Sequence, residues 1–569
     1  MSTARQPVRR SIAEQPLFLF ALIFSVTWLL HGPLLRLPYF WDEAGYFIPA
    51  ARDFLLTGDL IPKTTLSNGH PPLVMTWLAM WWKLSNYSAA VTRTAMLLVA
   101  AFGLLGVFKL AEQVSNRKVA TVSLILTGLY SVIFAQSSLA QLDIPVMTLV
   151  IWALYLHVLN RRIATIVVFA IAALAKETAL IGPATLFGWE LICPWLERAK
   201  AWKVCLHPHR LAHTFSFLLT AIPLTCWYGY HYHRVGYVFG NPEFVRYNLG
   251  ATLSPERILI ALGMRTWHAF GYMNLFVLTL AAIAASREPI VWDAGADRDG
   301  IDLRIKIVFS LLIAAHIVAF SIVGGAPLAR YLVPVIPLVI ILCVATLYRH
   351  LKLWLAWSAV VGFAFVLALL FNPPWRIAPE DNLAYSDFVH LHSDAAAYLQ
   401  KTRPHATVLT AWPGSDELNR PFLGYVKEPM TVVRVDNFTL GYMLGAAQQR
   451  QMFDTVFIFN TKYEPPRNLL NSLPWWNHIQ ERFFDYHQDL LPKEVAMMMD
   501  GKVVWQESRG GQWAAVIVLD HVQNAENRCQ LPVAGCRLPV EPTYMLARSF
   551  ALRKISVNIF FVNFPVAVF

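Results

Sequence analysis

Long apolar runs separated by short polar segments dominate the first two thirds of the chain. Eleven of these runs reach or approach the ~20 residues that a helix needs to cross a bilayer. A further run, 72–84, is short, rich in tryptophan and preceded by two prolines, so we expect a helix that lies in the membrane interface. The predicted spans are 17–35, 91–110, 119–136, 142–159, 163–175, 178–197, 212–230, 258–285, 305–323, 331–348 and 353–371.

Basic residues fall in alternate segments between these runs, as the positive-inside rule expects of cytoplasmic loops. If 72–84 does not cross, the segments around Arg117, Arg161, Arg198 and Arg349 share the side of the N-terminus. We therefore predict a cytoplasmic N-terminus and a first span that is kept as an anchor. After eleven crossings, the C-terminal part lies on the outer side.

The chain changes character after the last predicted span. Helical periodicity covers 385–401, and short β-rich runs follow it. We expect a transmembrane domain, 1–371, and a small soluble α/β domain, 372–569, on the extracytoplasmic face. The predicted strands are Thr407–Thr410, Thr455–Phe459, Lys502–Trp505 and Ala514–Leu519.

Composition agrees with a polytopic α-helical membrane protein. Of 569 residues, 56% are hydrophobic and 15% are charged, and the mean hydropathy is +0.45. Soluble domains carry about 25% charged residues. The net charge is +11, but no basic run or basic–aromatic face accompanies it. We therefore predict no nucleic-acid partner and assign the charge to cytoplasmic loops and to contact with anionic membrane lipid.

The six cysteines indicate little chemistry. Cys529 and Cys536 are close enough in sequence to form a disulfide if their region faces an oxidising compartment. The other four lie in or beside apolar runs, and we expect them to behave as small hydrophobic residues: Cys193, Cys205, Cys226 and Cys343.

Acidic residues gather on the predicted outer side. Asp42 and Glu43 open an amphipathic pattern that ends at Gly58. Carboxylates in a first helical turn interact favourably with the helix dipole, so both could simply begin a helix. A carboxylate held beside a hydroxyl could instead act as a general base. Asp143, two residues before Pro145, is likewise either an N-cap or part of a site.

Cations accompany these acids on the same side. Lys176-Glu177 interrupts an apolar stretch, and Lys176 is either a snorkelling residue at a helix end or a group that binds a lipid phosphate. Arg330-Tyr331 is either an interface anchor or a phosphate-binding fork. His70, before two prolines, is either a polar contact or a ligand.

In their order and their common side, these motifs resemble the GT-C membrane glycosyltransferases. The most similar branch contains the protein O-mannosyltransferases and the bacterial aminoarabinose transferase of lipid A. The resemblance covers roughly 17–371. It rests on the acidic pair, Thr57-Gly58-Asp59, His70-Pro71-Pro72-Leu73, Asp143, Ala175-Lys176-Glu177-Thr178 and Arg330-Tyr331-Leu332-x-Pro334.

The resemblance implies an enzyme that transfers a sugar from a polyprenyl-phosphate donor to a hydroxyl of a protein, lipid or glycan. The reaction would take place at the outer face, here of a bacterial inner membrane. Asp42 would deprotonate the acceptor, while Glu43 and Asp143 would shape the site and orient the acceptor. Lys176 and Arg330 would bind the donor phosphate, whose developing charge needs fixed cations. A single displacement would invert the anomeric centre.

The chain departs from the family pattern at two positions. Glu177 follows Lys176 where the family often has proline, so we expect it to neutralise part of that cation. Gln141 stands where many relatives have a more basic residue. Glu177 remains a candidate for substrate binding, together with His70 and Tyr331. No metal-binding spacing is evident, and GT-C enzymes include members with and without a divalent cation, so the resemblance leaves a metal cofactor open.

Two other classes of protein compete with this interpretation. A polytopic lipid or solute transporter would have similar halves and charged residues near the membrane midplane. The sequence has no internal repeat, and its polar groups cluster at one face. A non-catalytic membrane scaffold that presents the C-terminal domain would leave the outer acidic residues without a role.

Overall fold

The computed structural model of the chain describes residues 15–200, 203–208, 211–240, 242–248, 250–293, 296–463, 465, 473–484 and 486–520. The disulfide predicted between Cys529 and Cys536 lies outside the described residues. Within the described part, the region up to residue 371 is almost entirely helical, with one short antiparallel pair of strands, β1 (Trp292–Asp293) and β2 (Ala296–Asp297).

The α-helices of this region follow the apolar runs of the sequence. They are α1 (Pro16–Leu30), α2 (Ile48–Thr57), α3 (Leu73–Leu84), α4 (Ala89–Val114), α5 (Arg117–Leu129), α6 (Ser131–Ser138), α7 (Asp143–Val158), α8 (Arg162–Ala175), α9 (Ile181–Lys200), α10 (Leu211–Phe215), α11 (Ile222–Val235), α12 (Pro242–Asn248), α13 (Pro255–Phe270), α14 (Leu275–Ala285), α15 (Leu303–Ile322), α16 (Ile336–His350) and α17 (Trp354–Leu370).

Local sequence signals explain several helix ends. The side chains of Ser88 and Asn116 accept hydrogen bonds from backbone N–H groups in the first turns of α4 and α5. At the end of α2, Gly58 has φ +71°, a left-handed conformation that glycine adopts without a steric penalty. Pro49 and Pro223 lie in the first turns of α2 and α11, where the missing N–H leaves no helical hydrogen bond unmade.

The described helices that are long and apolar enough to cross a membrane are fewer than the eleven spans expected from the sequence. Among the described residues, three helical stretches are long and apolar enough to cross: Ala89–Val114, Glu177–Arg198 and Leu303–Ile322. Two bent pairs, α5 with α6 and α13 with α14, raise this to five, and five shorter apolar helices accompany them. The count of eleven spans is therefore not confirmed. Sharp bends of 67° and 78° interrupt two stretches that hydropathy alone reads as straight.

The part after residue 371 forms a small domain around a mixed five-stranded sheet. The strand order is β4-β3-β5-β7-β6, with β4, β3 and β5 parallel and β7 antiparallel to both of its neighbours. The elements are α18 (Ala384–Thr402), β3 (Thr407–Ala411), α19 (Gly414–Asn419), β4 (Thr431–Val435), α20 (Leu440–Ala447), β5 (Thr455–Phe459), α21 (Pro474–Phe484), α22 (Pro492–Met498), β6 (Gly501–Arg509) and β7 (Gln512–Leu519).

This sheet domain packs directly on the segment that follows α1. The ring centroids of Trp41 and Trp412 lie 5.0 Å apart, and the Tyr425 hydroxyl donates to the Tyr39 carbonyl at 3.1 Å. A Cβ atom on Gly45 would lie 2.7 Å from Trp412 Cζ2, so the close approach requires glycine there. The buried residues of both regions form one continuous hydrophobic core.

The expectation for the cysteines of the membrane region is wrong for one pair. Cys193 in α9 and Cys205 in the following loop form a disulfide rather than acting as separate hydrophobic residues. Cys226 and Cys343 are free thiols. Disulfides are uncommon in reducing compartments, so this pairing disagrees with the cytoplasmic side that the basic residues around Arg198 predict for the loop.

Candidate functional site

A cavity of about 320 Å³ lies where the turns before α2, α7, α9 and α16 meet. Its wall includes every site residue predicted from the sequence except Glu43. The structure thus brings together residues that are almost 300 positions apart in the chain. They are Asp42, His70, Asp143, Lys176, Glu177, Arg330 and Tyr331.

Asp42 lies in a tightly constrained turn. The residue before it, Trp41, has φ +46°, a left-handed conformation that costs a non-glycine residue about 1–2 kcal/mol. Packing of its indole ring against Phe388 and Trp412 stabilises that conformation. One turn of π-helix, Glu43–Phe47, then leads into α2. The Asp42 side chain caps no backbone N–H; instead its carboxylate accepts a hydrogen bond from Arg330 Nη2 at 2.5 Å.

Asp143 is the first residue of α7, but it does not cap that helix. The N-cap residue is Leu142, and no side-chain cap forms. Asp143 Oδ1 accepts from Lys176 Nζ at 2.7 Å, and Oδ2 lies 3.7 Å from Arg330 Nε. The N-cap interpretation of Asp143 is therefore wrong, and its carboxylate belongs to the cavity.

Arg330 lies at the centre of the site and contacts several of its acidic side chains. It lies in a 3₁₀ turn, Ala329–Leu332, between α15 and α16, and is 7% exposed. Besides Asp42 and Asp143, its guanidinium contacts Glu380 Oε1, 3.0 Å from Nη1, and the side-chain oxygen of Gln141. A buried guanidinium surrounded by carboxylates remains charged. The interface-anchor interpretation of Arg330 does not fit this buried position.

Two acids in this region were missed by the sequence analysis. Glu380 and Asp381 follow the last apolar helix and are 5% and 2% exposed. Burial raises the pKa of Glu380, and Arg330 opposes that rise. Burial, together with the charge of Glu380, raises the pKa of Asp381 to about 7, and Asp381 Oδ2 accepts from the Tyr272 hydroxyl at 2.6 Å. The two adjacent acids, ten residues after the end of the last apolar helix, were the signal available in the sequence.

The remaining polar groups of the cavity form two further contacts. Lys176 Nζ lies 4.5 Å from the centre of the Tyr331 ring, a cation–π arrangement. His70 Nδ1 lies 2.9 Å from Glu177 Oε2. Glu177 therefore pairs with His70, whereas Lys176 pairs with Asp143, which differs from the expectation that Glu177 neutralises Lys176.

Glu43 lies behind the cavity wall and has no exposed surface. Its carboxylate forms an ion pair with buried Arg93 and accepts from the backbone N–H groups of Phe40 at 2.9 Å and Ala140 at 2.5 Å. Ala140 precedes Asp143 by three residues. Glu43 therefore links the turn that carries Asp42 to the turn that carries Asp143.

The polar side chains do not fit a bound metal ion. Within the described residues, no group of three or more His, Cys, Asp or Glu side chains is arranged to hold one. The two carboxylates of the cavity that stand closest to Arg330, Asp42 and Asp143, are already bonded to cationic side chains.

The helical region with its appended sheet shares its fold with a solved bacterial protein. The chain is similar to ArnT, an aminoarabinose transferase from Cupriavidus metallidurans whose structure is bound to undecaprenyl phosphate. The TM-score is 0.50, with 15% identity over 88% of this chain and 97% of that chain. Apo ArnT from the same organism gives a TM-score of 0.48 with 14% identity over 89% and 98% of the two chains.

The Archaeoglobus fulgidus oligosaccharyltransferase in complex with Zn and sulfate is more distant, with a TM-score of 0.41 and 11% identity over 78% of this chain and 67% of that chain. No protein-family model and no curated protein sequence matches the chain. The likeness to ArnT establishes the fold of an integral membrane protein. The O-mannosyltransferase branch is not confirmed.

Proposed function

We propose that this protein transfers a glycosyl group from a polyprenyl-phosphate donor to an acceptor hydroxyl on the extracytoplasmic face of the membrane. One observation carries the proposal: a single cavity holds two carboxylates, Asp42 and Asp143, bonded to two cations, Arg330 and Lys176. Glycosyl transfer from a phosphate needs both an acceptor base and fixed positive charge for the leaving group. The shared fold with ArnT, whose crystal structure contains undecaprenyl phosphate, supports this class of donor.

Arg330 and Lys176 bind the donor phosphate. The phosphate takes the place of Asp42 on Arg330 Nη2, because a lipid phosphate in the cavity competes with Asp42 for the same guanidinium. This exchange releases the Asp42 carboxylate from its ion pair. Asp42 then becomes available as a base only when the donor is bound, which limits unproductive chemistry in the empty site.

In the chemical step, Asp42 takes the proton of the acceptor hydroxyl, and the acceptor oxygen attacks the anomeric carbon. The bond between that carbon and the phosphate oxygen breaks, and its electron pair stays on the phosphate. Arg330 and Lys176 stabilise the charge that develops there. One displacement with base and leaving group on opposite sides of the sugar inverts the anomeric centre.

The other cavity residues position these groups. Asp143 fixes the Lys176 ammonium at 2.7 Å, and Tyr331 lies against the same ammonium. The His70–Glu177 pair lies on the cavity wall and offers polar contacts to the substrates. We assign the acceptor to the class of protein, lipid or glycan hydroxyls and place the site on the outer face of a bacterial inner membrane.

The test is transfer from purified polyprenyl-phosphate sugars, followed by release of the polyprenyl phosphate. D42N should lower the rate by at least about 10²-fold, the contribution typical of a general base. D143N should also lose transfer, because Lys176 loses its partner. The control is D59N: Asp59 follows α2, pairs with Arg234 at 2.7 Å and does not line the cavity. Wild-type rates in both D42N and D143N would refute the assignment.

A further inference from the structure

The side chains that line the cavity carry more carboxylates than cations, which disfavours binding of an anionic ligand. Three carboxylates line it, those of Asp42, Asp143 and Glu177, against the two cations Lys176 and Arg330. His70 lies beside Glu177 and offsets it when protonated. Glu380 adds a fourth carboxylate to this set through its contact with Arg330.

Glu380 contacts Arg330 from a different direction than Asp42 does. Asp42 bonds Nη2 and lines the cavity, whereas Glu380 contacts Nη1, does not line the cavity and has a side chain that is 6% exposed. A phosphate that enters the cavity can displace Asp42 but leaves Glu380 in place. Arg330 therefore retains one carboxylate partner throughout binding.

Glu380 is supplied by the segment that joins the membrane region to the sheet domain. It lies in a 3₁₀ turn, Pro379–Asp381, whose backbone is tied to the membrane region because Gln136 Nε2 donates to the Glu380 carbonyl at 3.3 Å. Its neighbour Asp381 is bonded to the Tyr272 hydroxyl. The groups that interact electrostatically with the Glu380 carboxylate include Arg330, Asp42, Asp143 and Asp381. Its position is therefore fixed by packing and not by solvent.

We infer that Glu380 is a positioning residue that contacts Arg330 Nη1 from outside the cavity lining. Its negative charge limits the affinity of Arg330 for the donor phosphate. This inference rests on the proposed function, because it concerns the phosphate of the same donor. A buried carboxylate next to one nitrogen of a guanidinium offsets part of its positive charge. A phosphate bound at the other nitrogen is therefore attracted less strongly than it would be by an unpaired guanidinium. The offset favours departure of the polyprenyl phosphate after each transfer.

The experiment measures the Kd of undecaprenyl phosphate for the full chain in detergent. Glu380→Gln keeps the size and a hydrogen-bond acceptor but removes the charge, so the Kd should fall about tenfold. Glu380→Ala also removes the charge and should shift the Kd in the same direction. Glu380→Asp keeps the charge and should bind like the wild type. A purely structural role would weaken binding in all three variants.

Glu417→Gln is the matched control. Glu417 is equally buried, and its Oε2 atom lies 2.5 Å from His392 Nδ1. It lies in the sheet domain and does not line the cavity. Its Kd should equal that of the wild type, and an equal tightening there would overturn the inference. If Glu380→Gln cannot be purified, Glu380→Ala decides the sign.

The outcomes separate the two proposals. If the folded wild type does not bind undecaprenyl phosphate, the proposed function and this inference both fail. If the wild type binds and the charge-removing variants bind no more tightly, only the inference fails. In a transfer assay, the same variants should lower the donor KM and also lower kcat, because the product leaves more slowly.

Discussion

At the scale of single residues, the site depends on buried ion pairs whose members come from distant turns. Glu43 accepts from two backbone N–H groups and pairs with Arg93, and neither side chain is exposed. Breaking a buried pair by removing one partner leaves an uncompensated charge. Glu43 is therefore a structural support of the turns that carry Asp42 and Asp143, although the sequence places it beside Asp42.

Glu43→Ala should destabilise the protein by about 3–5 kcal/mol, because Arg93 and two N–H groups lose their acceptor. Thermal unfolding in detergent measures this, and transfer activity should fall with it, since the turns of Asp42 and Asp143 separate. Glu112→Ala is the control: Glu112 pairs with Lys109 at 2.8 Å at a partly exposed position and should cost less than about 1 kcal/mol. Equal losses in both variants would contradict the argument.

Asp381 predicts a pH dependence of stability. Its pKa is about 7 in the folded protein, raised chiefly by burial, against 3.8 for the ordinary group. The folded state thus binds the proton more tightly, so stability is lost as pH rises from about 4 to 7 and stays lost above 7. D381N keeps an oxygen for the Tyr272 hydroxyl and carries no charge.

The Tm of D381N should accordingly exceed that of the wild type at pH 8 and approach it at pH 5. The control D500N alters an acid at an exposed position, paired with Arg450, and its Tm difference from the wild type should not change in this way with pH. A constant Tm difference between D381N and the wild type over this pH range would rule out titration of Asp381.

At the scale of elements, periodicity predicted most of what was local. The helix expected at 385–401 is α18, and all four expected strands are present, three of them extended by one to five residues. The strand β4, Thr431–Val435, was not predicted, because its sequence TVVRV does not alternate regularly between apolar and polar residues. The bend between α5 and α6 was also missed, because hydropathy records apolar length and not direction.

Side-chain partners were harder to predict than elements. Asp143 fits an N-cap by sequence, but Lys176 and Arg330 provide it with stronger charged partners in the fold. Glu380 was overlooked because its cationic partner, Arg330, is fifty positions away in the sequence. Such contacts follow from tertiary packing, which a local pattern does not encode. The shared cavity of Asp42 and Asp143 was predicted from a common side of the membrane together with the family resemblance.

The π-helical turn at Glu43–Phe47 depends on close contact with the sheet domain. Gly45→Ala would place a Cβ atom 2.7 Å from Trp412 Cζ2, so the turn or the domain must shift. We expect transfer to fall several-fold with a smaller loss of Tm. Gly32→Ala, at a position with no atom within 4 Å of the added Cβ, is the control and should retain activity. Full activity of Gly45→Ala would show that this contact does not position Asp42.

At the scale of the whole molecule, the predicted topology places the cavity and the sheet domain on the same side of the membrane. A reporter that is active only outside the cytoplasm, fused after Phe371, should be active. The same reporter fused after Lys352, in a basic segment predicted to be cytoplasmic, should be silent. The opposite pattern would overturn the topology and with it the extracytoplasmic assignment of the reaction.

The contact of Trp41 with Trp412 has a consequence for anyone who recombines relatives of this protein. The residue that orients Asp42 is held by a side chain from the other domain, across more than 360 positions of sequence. A chimera that grafts a foreign sheet domain onto this helical region keeps Trp41 but loses the Trp412 side chain that packs against it. Functional grafts must therefore transfer the stretch from Trp41 to Gly45 together with the segment around Trp412.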